Sequence, residues 1–213
     1  MRKNKRSNQK GITLIELLVA LVICAMVIAG IYRLFIVQSK AYTVQDQVVE
    51  IQQNIRSAME VLLRDLRMAG YDSDGATSQI SIANPIIPND QSVTVNYEYD
   101  DTHRHEITYS VMNGNLTRQL TIFTNTGSSS TTRETILENV EALNFIYGVD
   151  DGDEGDAMNR WANNVADIKA NEKVVAVRVT LTAKPDETNP DVKKWVSPRT
   201  LTSAVTIRNL CLK

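Results

Sequence analysis

Cysteine and histidine are nearly absent from this sequence, which contains two of each among 213 residues. Cys24 lies inside a long apolar run and Cys211 lies near the C-terminus, so a disulfide would have to join a membrane segment to the end of the soluble part. We therefore predict two unpaired cysteines that act as small hydrophobic residues. His103 and His105 would face the same side of a strand, but no cysteine or carboxylate pattern completes a metal set. We predict that both are exposed.

The sequence also lacks the short motifs of the common catalytic and cofactor-binding sites. It has no G-x-S-x-G sequence, no Walker loop, no dinucleotide-binding fingerprint and no cysteine–histidine pair. The formal net charge is only −2, which argues against a nucleic-acid-binding surface. We predict that the protein is not an enzyme, carries no cofactor and binds no nucleic acid.

Positive charge is concentrated at the N-terminus. Five cations and no acid precede Gly11, whereas the residues after it carry 18 basic and 25 acidic side chains, a net charge of −7. Residues 12–31 form an apolar run of 20 residues whose one charge is Glu16, long enough to span a bilayer as a helix. Because cationic flanks stay in the cytoplasm, the charge pattern predicts that the C-terminal body lies on the other side of the membrane.

Glu16 separates the interpretations of this apolar run. A cleaved secretory signal has a basic start, a shorter apolar stretch and a small-residue cleavage site, for which Val27-Ile28-Ala29 is a weak candidate. In a plain membrane anchor the glutamate would be unfavourable. Inserting a carboxylate near the bilayer centre costs about 2.5–3.5 kcal/mol of free energy, and less toward the ends of the helix. The glutamate therefore calls for a partner.

Residues Lys10-Gly11-Ile12-Thr13-Leu14-Ile15-Glu16 resemble the processing signal of type IV pilins and type II secretion pseudopilins. The resemblance implies that a prepilin peptidase of the inner membrane cuts between Gly11 and Ile12 and methylates the new terminus. Gly11 has no side chain to obstruct the scissile bond. The resemblance further implies that Glu16 pairs with the terminal amine of a neighbouring subunit during assembly, which would compensate its buried charge.

Two residues depart from the pattern of this family. Ile12 stands where the family usually has Phe or Met, which bears on the extent of methylation rather than on cleavage. Arg33 stands where major pilins often carry a helix-kinking proline, so we expect a straighter helix here. The missing proline favours a minor pilin or a pseudopilin over a major pilin.

The helix is predicted to continue beyond the apolar run. No proline or glycine interrupts residues 31–69, and Gly70 is a natural stop. A helix over residues 13–69 would be about 85 Å long at 1.5 Å per residue. Apolar residues recur at steps of three and four along its second half, which predicts one face packed on a sheet: Val44, Val48, Ile51, Ile55, Ala58, Leu62 and Leu66.

The end of this helix, residues 56–71, looks like that of PilW-type minor pilins, and the related pseudopilin J has a similar but less complete stretch. Residues 143–150, 174–179 and 206–209 match the PilW-like pattern more loosely. We predict an α+β fold in which the long N-terminal helix packs on a C-terminal antiparallel β-sheet. The regions would be a cleaved leader (1–11), a transmembrane or filament-core helix (12–37), its amphipathic continuation (38–70) and a β-rich head (71–213).

Within the head we predict one sheet of about five to seven strands. Alternating residues indicate strands over 93–99, 140–147, 174–183 and 199–208. Strands over 106–112 and 116–123 flank Asn113-Gly114, a strong hairpin signal. Tyr97, Tyr99, Tyr109 and Tyr147 lie on these strands and are predicted to be sheet-face or core residues. Residues 71–92 are predicted to be a connecting loop with at most short strands, and residues 125–132 and 184–198 are predicted to be loops.

An acidic segment is the one candidate metal site. Asp150, Asp151, Asp153 and Asp156 lie in a glycine-containing stretch whose oxygen ligands suit Ca²⁺. The segment lacks the ligand spacing of an EF-hand, so a solvated acidic loop is the favoured interpretation and a calcium site the alternative.

Taken with these patterns, the resemblance implies a PilW-type minor pilin that helps initiate pilus assembly at or near the filament tip. Its partners would be prepilin peptidase, other minor and major pilins, the inner membrane and a pilus-tip adhesin. Before assembly it would cross the bacterial inner membrane once, with its head in the periplasm. The alternatives are a pseudopilin J-like subunit of the type II secretion pseudopilus and a signal-anchored periplasmic enzyme or binding module.

Overall fold

A computed structural model of the chain describes residues 11–72, 80, 82–152, 158–186, 188 and 190–211. The chain divides into two compact units, Met1–Gln45 and Asp46–Lys213. Helix α1 belongs to both units, and the described residues of the second unit also form nine strands, two short α-helices and a 3-10 helix (Val165–Asp167). The elements, in chain order, are α1 (Leu14–Met68), β1 (Ile86–Pro88), β2 (Ser92–Asp100), β3 (His103–Met112), β4 (Asn115–Thr124), β5 (Ser129–Leu137), β6 (Val140–Asp150), β7 (Arg160–Ala162), β8 (Lys173–Ala183), α2 (Pro190–Trp195), β9 (Arg199–Thr206) and α3 (Arg208–Cys211).

The predicted long helix is confirmed, because α1 runs from Leu14 to Met68 without interruption. It ends where glycine was expected to stop it. Gly70 has a φ of 70°, and a Cβ there would lie 2.9 Å from Leu210 Cδ2 and 3.2 Å from Pro85 Cβ. The position therefore needs glycine both for its backbone conformation and for the close packing around it.

The apolar stripe on the second half of α1 faces the core of the head. Ile51, Ile55, Ala58, Leu62 and Leu66 are all buried, whereas Val44 and Val48, the first two residues of the predicted stripe, are only half-buried. Fully burying a leucine or isoleucine side chain contributes about 1.5–3 kcal/mol to the free energy of folding. Burial of this stripe therefore stabilises the packing of α1 on the sheets. The α+β fold class is thereby confirmed.

The prediction of a single sheet is wrong. The strands form a five-stranded sheet, in the order β1-β2-β3-β4-β5, and a four-stranded sheet, in the order β7-β6-β8-β9, and every pair is antiparallel. After β5 the chain turns at Asn139, whose φ is 54°, and β6 then pairs with β8 instead of extending the first sheet. The sheet that β6 joins is decided by pairing between distant parts of the chain, and the alternation of residues within a strand carries no information about its partner.

The predicted β3–β4 hairpin is confirmed in detail. Met112 pairs with Asn115, which leaves Asn113 and Gly114 as the two loop residues. Their φ angles are 53° and 75°, as a type I′ turn requires. This turn fixes the register of all ten residue pairs between the two strands.

Two predicted loops contain regular structure. The Ser- and Thr-rich segment 125–132 was expected to be a flexible tip, but β5 begins at Ser129, because β-branched threonines suit a strand. Segment 184–198 contains α2, which begins with Pro190 at its first position, where a missing N–H costs nothing. The last strand ends at Thr206, earlier than predicted, and Arg208 begins α3.

Buried tyrosines lie in the core of the head, as predicted for Tyr109 and Tyr147, which are both fully buried. Tyr147, on the second sheet, donates a hydrogen bond of 2.7 Å to the carbonyl oxygen of Asn89, in the connection that leads into β2 of the first sheet. Burial raises the pKa of Tyr147, so the hydroxyl remains a donor at all physiological pH values. This part-buried hydrogen bond ties the second sheet to the connection between β1 and β2.

Candidate functional site

Gly11 and Ile12, the predicted processing residues, lie immediately before α1 and are exposed. No described atom lies within 4 Å of the position that a Cβ on Gly11 would occupy. Folding of the described part of the chain therefore places no steric requirement on this glycine. A requirement at this position would come from a second molecule that approaches the Gly11–Ile12 peptide bond.

Glu16 forms a capping box with Thr13 at the start of α1. The Thr13 backbone N–H donates to Glu16 Oε2 over 3.3 Å, and the Glu16 backbone N–H donates to Thr13 Oγ1 over 3.4 Å. The Thr13 hydroxyl also donates to Glu16 Oε2 over 3.2 Å. The sequence analysis did not identify this role, although the Thr-x-x-Glu spacing is its signature. The carboxylate is thus held beside the first turn, where the helix dipole favours a negative charge.

The first half of α1 is apolar on all sides and uncovered in the isolated chain. It is long and apolar enough to cross a membrane, with a mean hydropathy of 2.9 over 18 residues, none of which is buried. Large side chains such as Leu14, Met26 and Phe35 are each more than 60% exposed. A helix that is hydrophobic all round needs lipid or other apolar helices around it. This surface indicates insertion into a membrane or into a bundle of similar helices.

A buried carboxylate connects α1 to the first sheet. Asp65 is only 4% exposed and accepts hydrogen bonds of 2.7 Å from the Tyr109 hydroxyl and 2.7 Å from Arg118 Nε. Arg118 Nη1 in turn donates to Glu134 Oε1 over 3.0 Å. These contacts join α1, β3, β4 and β5 in one polar network.

The network shifts the pKa values of Tyr109 and Arg118. Burial and the charge of Asp65 raise the pKa of Tyr109, so its hydroxyl stays protonated and continues to donate. Burial lowers the pKa of Arg118, but the hydrogen bonds and charges of Asp65 and Glu134 outweigh this effect and raise it overall. The residues around Asp65 carry part of the family resemblance, but no sequence pattern predicted that Asp65 is buried.

The two histidines do not behave alike. His103 is half-buried beside Asp100, and its Nδ1 lies 2.8 Å from Asp100 Oδ1. The hydrogen bond from His103 lowers the pKa of Asp100 to about 2. His105 is buried, which corrects the prediction that both are exposed, because Tyr99 stacks on its ring at 4.4 Å and the Tyr97 hydroxyl lies 3.2 Å from its Nδ1.

The candidate calcium ligands are only partly described. Asp150 is buried and its Oδ1 accepts a 3.0 Å hydrogen bond from the Gly152 backbone N–H, while Asp151 accepts one from the Asn159 side chain. Asp153 and Asp156 lie outside the described residues. Among the residues that the structure describes, no group of three or more His, Cys, Asp or Glu side chains is placed to hold a metal ion. The calcium site stays a prediction.

Comparison with known proteins matches two parts of the chain. Residues 6–32 match the family model described as the prokaryotic N-terminal methylation motif, which includes Gly11, Ile12 and Glu16. Residues 108–209 match the model described as Type IV Pilus-assembly protein W, which extends from within β3 into α3 and includes Arg118 and Glu134. No curated protein matches the chain.

Proposed function

We propose that this chain is a minor pilin that helps initiate pilus assembly at or near the filament tip, a role supported by the matches to the N-terminal methylation motif and to the type IV pilus-assembly protein W model. The observation that carries the proposal is the combination of an exposed apolar helix with the matched motif at its start. Proteins of this kind are structural, so the role we propose is assembly rather than catalysis.

Processing would begin at the exposed Gly11–Ile12 bond, which we propose is cut by prepilin peptidase. The cut removes five cations and leaves a free α-amine on Ile12, which the same enzyme would methylate. Before assembly the apolar half of α1 would anchor the subunit in the inner membrane by a single pass, with the acidic head in the periplasm. This orientation follows from the basic leader.

The alignment of this subunit with its neighbour in the filament would depend on Glu16. The capping box with Thr13 already holds its carboxylate at the helix start, so a neighbouring subunit's terminal amine would meet an oriented acceptor. Pairing the two charges lets both enter the apolar interior of the filament, where an unpaired carboxylate would cost several kcal/mol. The head would contact other minor and major pilins and a tip adhesin.

A complementation experiment tests this proposal. A strain that lacks the gene is supplied with the wild-type chain, Glu16→Val or Glu60→Val, the last being the same substitution at an exposed position of α1 outside the apolar run. We expect Glu16→Val to reduce surface pili about tenfold or more, since it leaves the partner amine unpaired, whereas Glu60→Val assembles normally. Pili are counted by electron microscopy.

Mass spectrometry of the same membranes supplies the control. All three chains should lose residues 1–11 and should carry a methyl group on Ile12 in proportion to how well isoleucine is accepted. Normal piliation with Glu16→Val would remove the assembly role of Glu16. An intact leader in the wild-type chain would refute the pilin proposal itself. The genes that flank this one decide between a pilus and a type II secretion pseudopilus.

A further inference from the structure

Strand β5 forms one edge of the five-stranded sheet and pairs on one side only, with β4. All seven residues from Ser129 to Thr135 are exposed, including those that point to either face of the sheet. A strand at a sheet edge normally packs one face on the core. Over most of its length β5 is therefore uncovered on both faces and along its outer edge.

This edge has little of the usual protection against pairing. Natural edge strands are blunted by short length, charged side chains (lysine above all), proline or a bulge, and β5 carries only one cation and one acid, Arg133 and Glu134, both hydrogen-bonded to side chains of β4. The opposite edge of the same sheet, β1, has three residues and ends in Pro88. β5 has nine residues and contains no proline, glycine or lysine, and its one register shift lies at its far end, opposite Leu116 and Thr117. Its threonines favour an extended backbone.

Side-chain hydrogen bonds, and not apolar packing, hold the exposed part of β5 on the sheet. Glu134 is bonded to Arg118 over 3.0 Å, and Arg118 is bonded to the buried Asp65 of α1. Arg133 is bonded to Gln119, and the Thr131 and Thr121 hydroxyls lie 3.1 Å apart. An exposed strand kept ordered in this way is pre-organised for a partner, because little entropy is left to lose on binding.

The backbone groups that point outward can be assigned from the neighbouring turn. The Thr124 N–H donates toward β5, to the Ser128 carbonyl oxygen, and the Asn125 N–H donates to the other side, to Thr102. Antiparallel ladders alternate, so the even-numbered residues of β4 bond to β5, including the pair Leu120 and Thr132. The N–H and C=O groups of Thr131 and Arg133 therefore point away from the sheet.

We propose that the outer edge of β5 binds an extended segment from the head of a different pilin-like subunit, which adds to the sheet as a further strand. This inference rests on the proposed function and names the surface through which the head engages its neighbour. Side-chain charge would add specificity to the backbone hydrogen bonds. We expect the partner strand to carry an acid beside Arg133 on one face of the sheet and a cation beside Glu134 on the other.

Antiparallel pairing with the β5 of a second copy does not suit this edge. Antiparallel pairs are the commoner kind in sheets, and pairing β5 with β5 in this way relates the copies by a two-fold axis perpendicular to the sheet. Such an axis reverses every direction in the plane of the sheet, including that of the part of α1 that packs on it. Subunits stored in one membrane must point the same way, so we argue for a segment of a different subunit as the occupant.

Thr131→Pro tests the proposal against Thr131→Val. Proline removes the outward N–H of Thr131 and is tolerated at an edge position whose N–H makes no ladder bond, whereas valine keeps the N–H and loses only the hydroxyl. Full-length variants are co-expressed with each other prepilin-type protein encoded beside this gene and co-purified in detergent. We expect Thr131→Pro to lower complex yield about tenfold and Thr131→Val to leave it within about twofold.

Hydrogen exchange supplies a second readout. In the wild-type complex the amides of Thr131 and Arg133 should become protected, an effect that side-chain contact alone does not produce. Equal complex yields for the proline and valine variants, or unprotected amides in a stable complex, would overturn the edge proposal while leaving the proposed function intact. If the wild-type chain forms no complex with any pilin-type subunit, both proposals fail. Matched melting temperatures of the variants show that each is folded.

Discussion

Asp65 brings a carboxylate into the buried face of α1, between Leu62 and Leu66. A buried charge is costly unless it is paired and fully hydrogen-bonded, and here the Tyr109 hydroxyl and Arg118 Nε both donate to the same oxygen, Oδ2. Such a pair contributes little net stability compared with apolar residues. Its hydrogen bonds join this turn of α1 to β3 and β4.

We expect Asp65→Asn to destabilise the head by about 3 kcal/mol, because it leaves the largely buried Arg118 without its main counter-ion. Tyr109→Phe should cost less, about 1–2 kcal/mol, since it removes one hydrogen bond to a charged group. Glu134→Gln is the matched control at the exposed end of the network, with a cost below about 1 kcal/mol. Urea unfolding of the three variants measures these differences. Equal losses for Asp65→Asn and Glu134→Gln would show that the buried pair does not hold the helix.

At the scale of elements, the β3–β4 hairpin shows how local chemistry sets a register. Asn113 and Gly114 both take positive φ angles, and the ten residue pairs that follow include His105 with Ile122 and Arg118 with Tyr109. A slip of one residue would turn every side chain to the opposite face and would separate Arg118 and Tyr109 from Asp65. The polar network therefore depends on a two-residue turn.

Gly114→Ala should destabilise the head by about 1–2 kcal/mol, because a φ of 75° brings an L-residue's Cβ toward its own carbonyl oxygen. Asn113→Gly is the matched control in the same turn and should be tolerated, since glycine adopts positive φ readily. Thermal unfolding monitored by circular dichroism measures both variants. A melting temperature for Gly114→Ala equal to that of wild type would show that the turn adapts at no cost.

The whole molecule consists of an apolar helical unit and a head that carries the core. Every buried apolar residue identified in the described chain lies at Ile51 or beyond, and the boundary between the two units falls at Gln45 and Asp46. The contacts that stabilise the head are thus contained within the second unit. The first unit offers apolar surface to lipid or to other helices and adds nothing to that core.

We expect a chain that begins at Asp46 to be soluble without detergent and to unfold cooperatively, because it keeps the whole buried stripe of α1. A chain that begins at Met59 lacks Ile51, Ile55 and Ala58 and should be less stable by several kcal/mol, at about 1.5–3 kcal/mol for each large buried side chain. Circular dichroism and urea titration compare the two. Aggregation of the longer chain would mean that the head needs the apolar unit to fold.

Sequence alone determined the features that arise from short-range chemistry. Hydrophobic length predicted the exposed apolar part of the helix, and the residues around Gly11 and Glu16 predicted the methylation motif that family comparison then matched. Gly70 predicted the end of α1, and Asn113-Gly114 predicted the hairpin, because backbone conformations with positive φ restrict which residues occupy them.

The tertiary structure decided what depends on distant partners. Sequence analysis missed β5, because a strand of Ser and Thr exposed on both faces has no hydrophobic alternation to reveal it. It also missed the division into two sheets, which depends on β6 pairing with β8, whose partner residues lie 23 to 43 positions apart in the chain. Asp65 is a buried acceptor of hydrogen bonds from Tyr109 and Arg118. This role depends on residues that are distant in sequence and come together only in the folded chain.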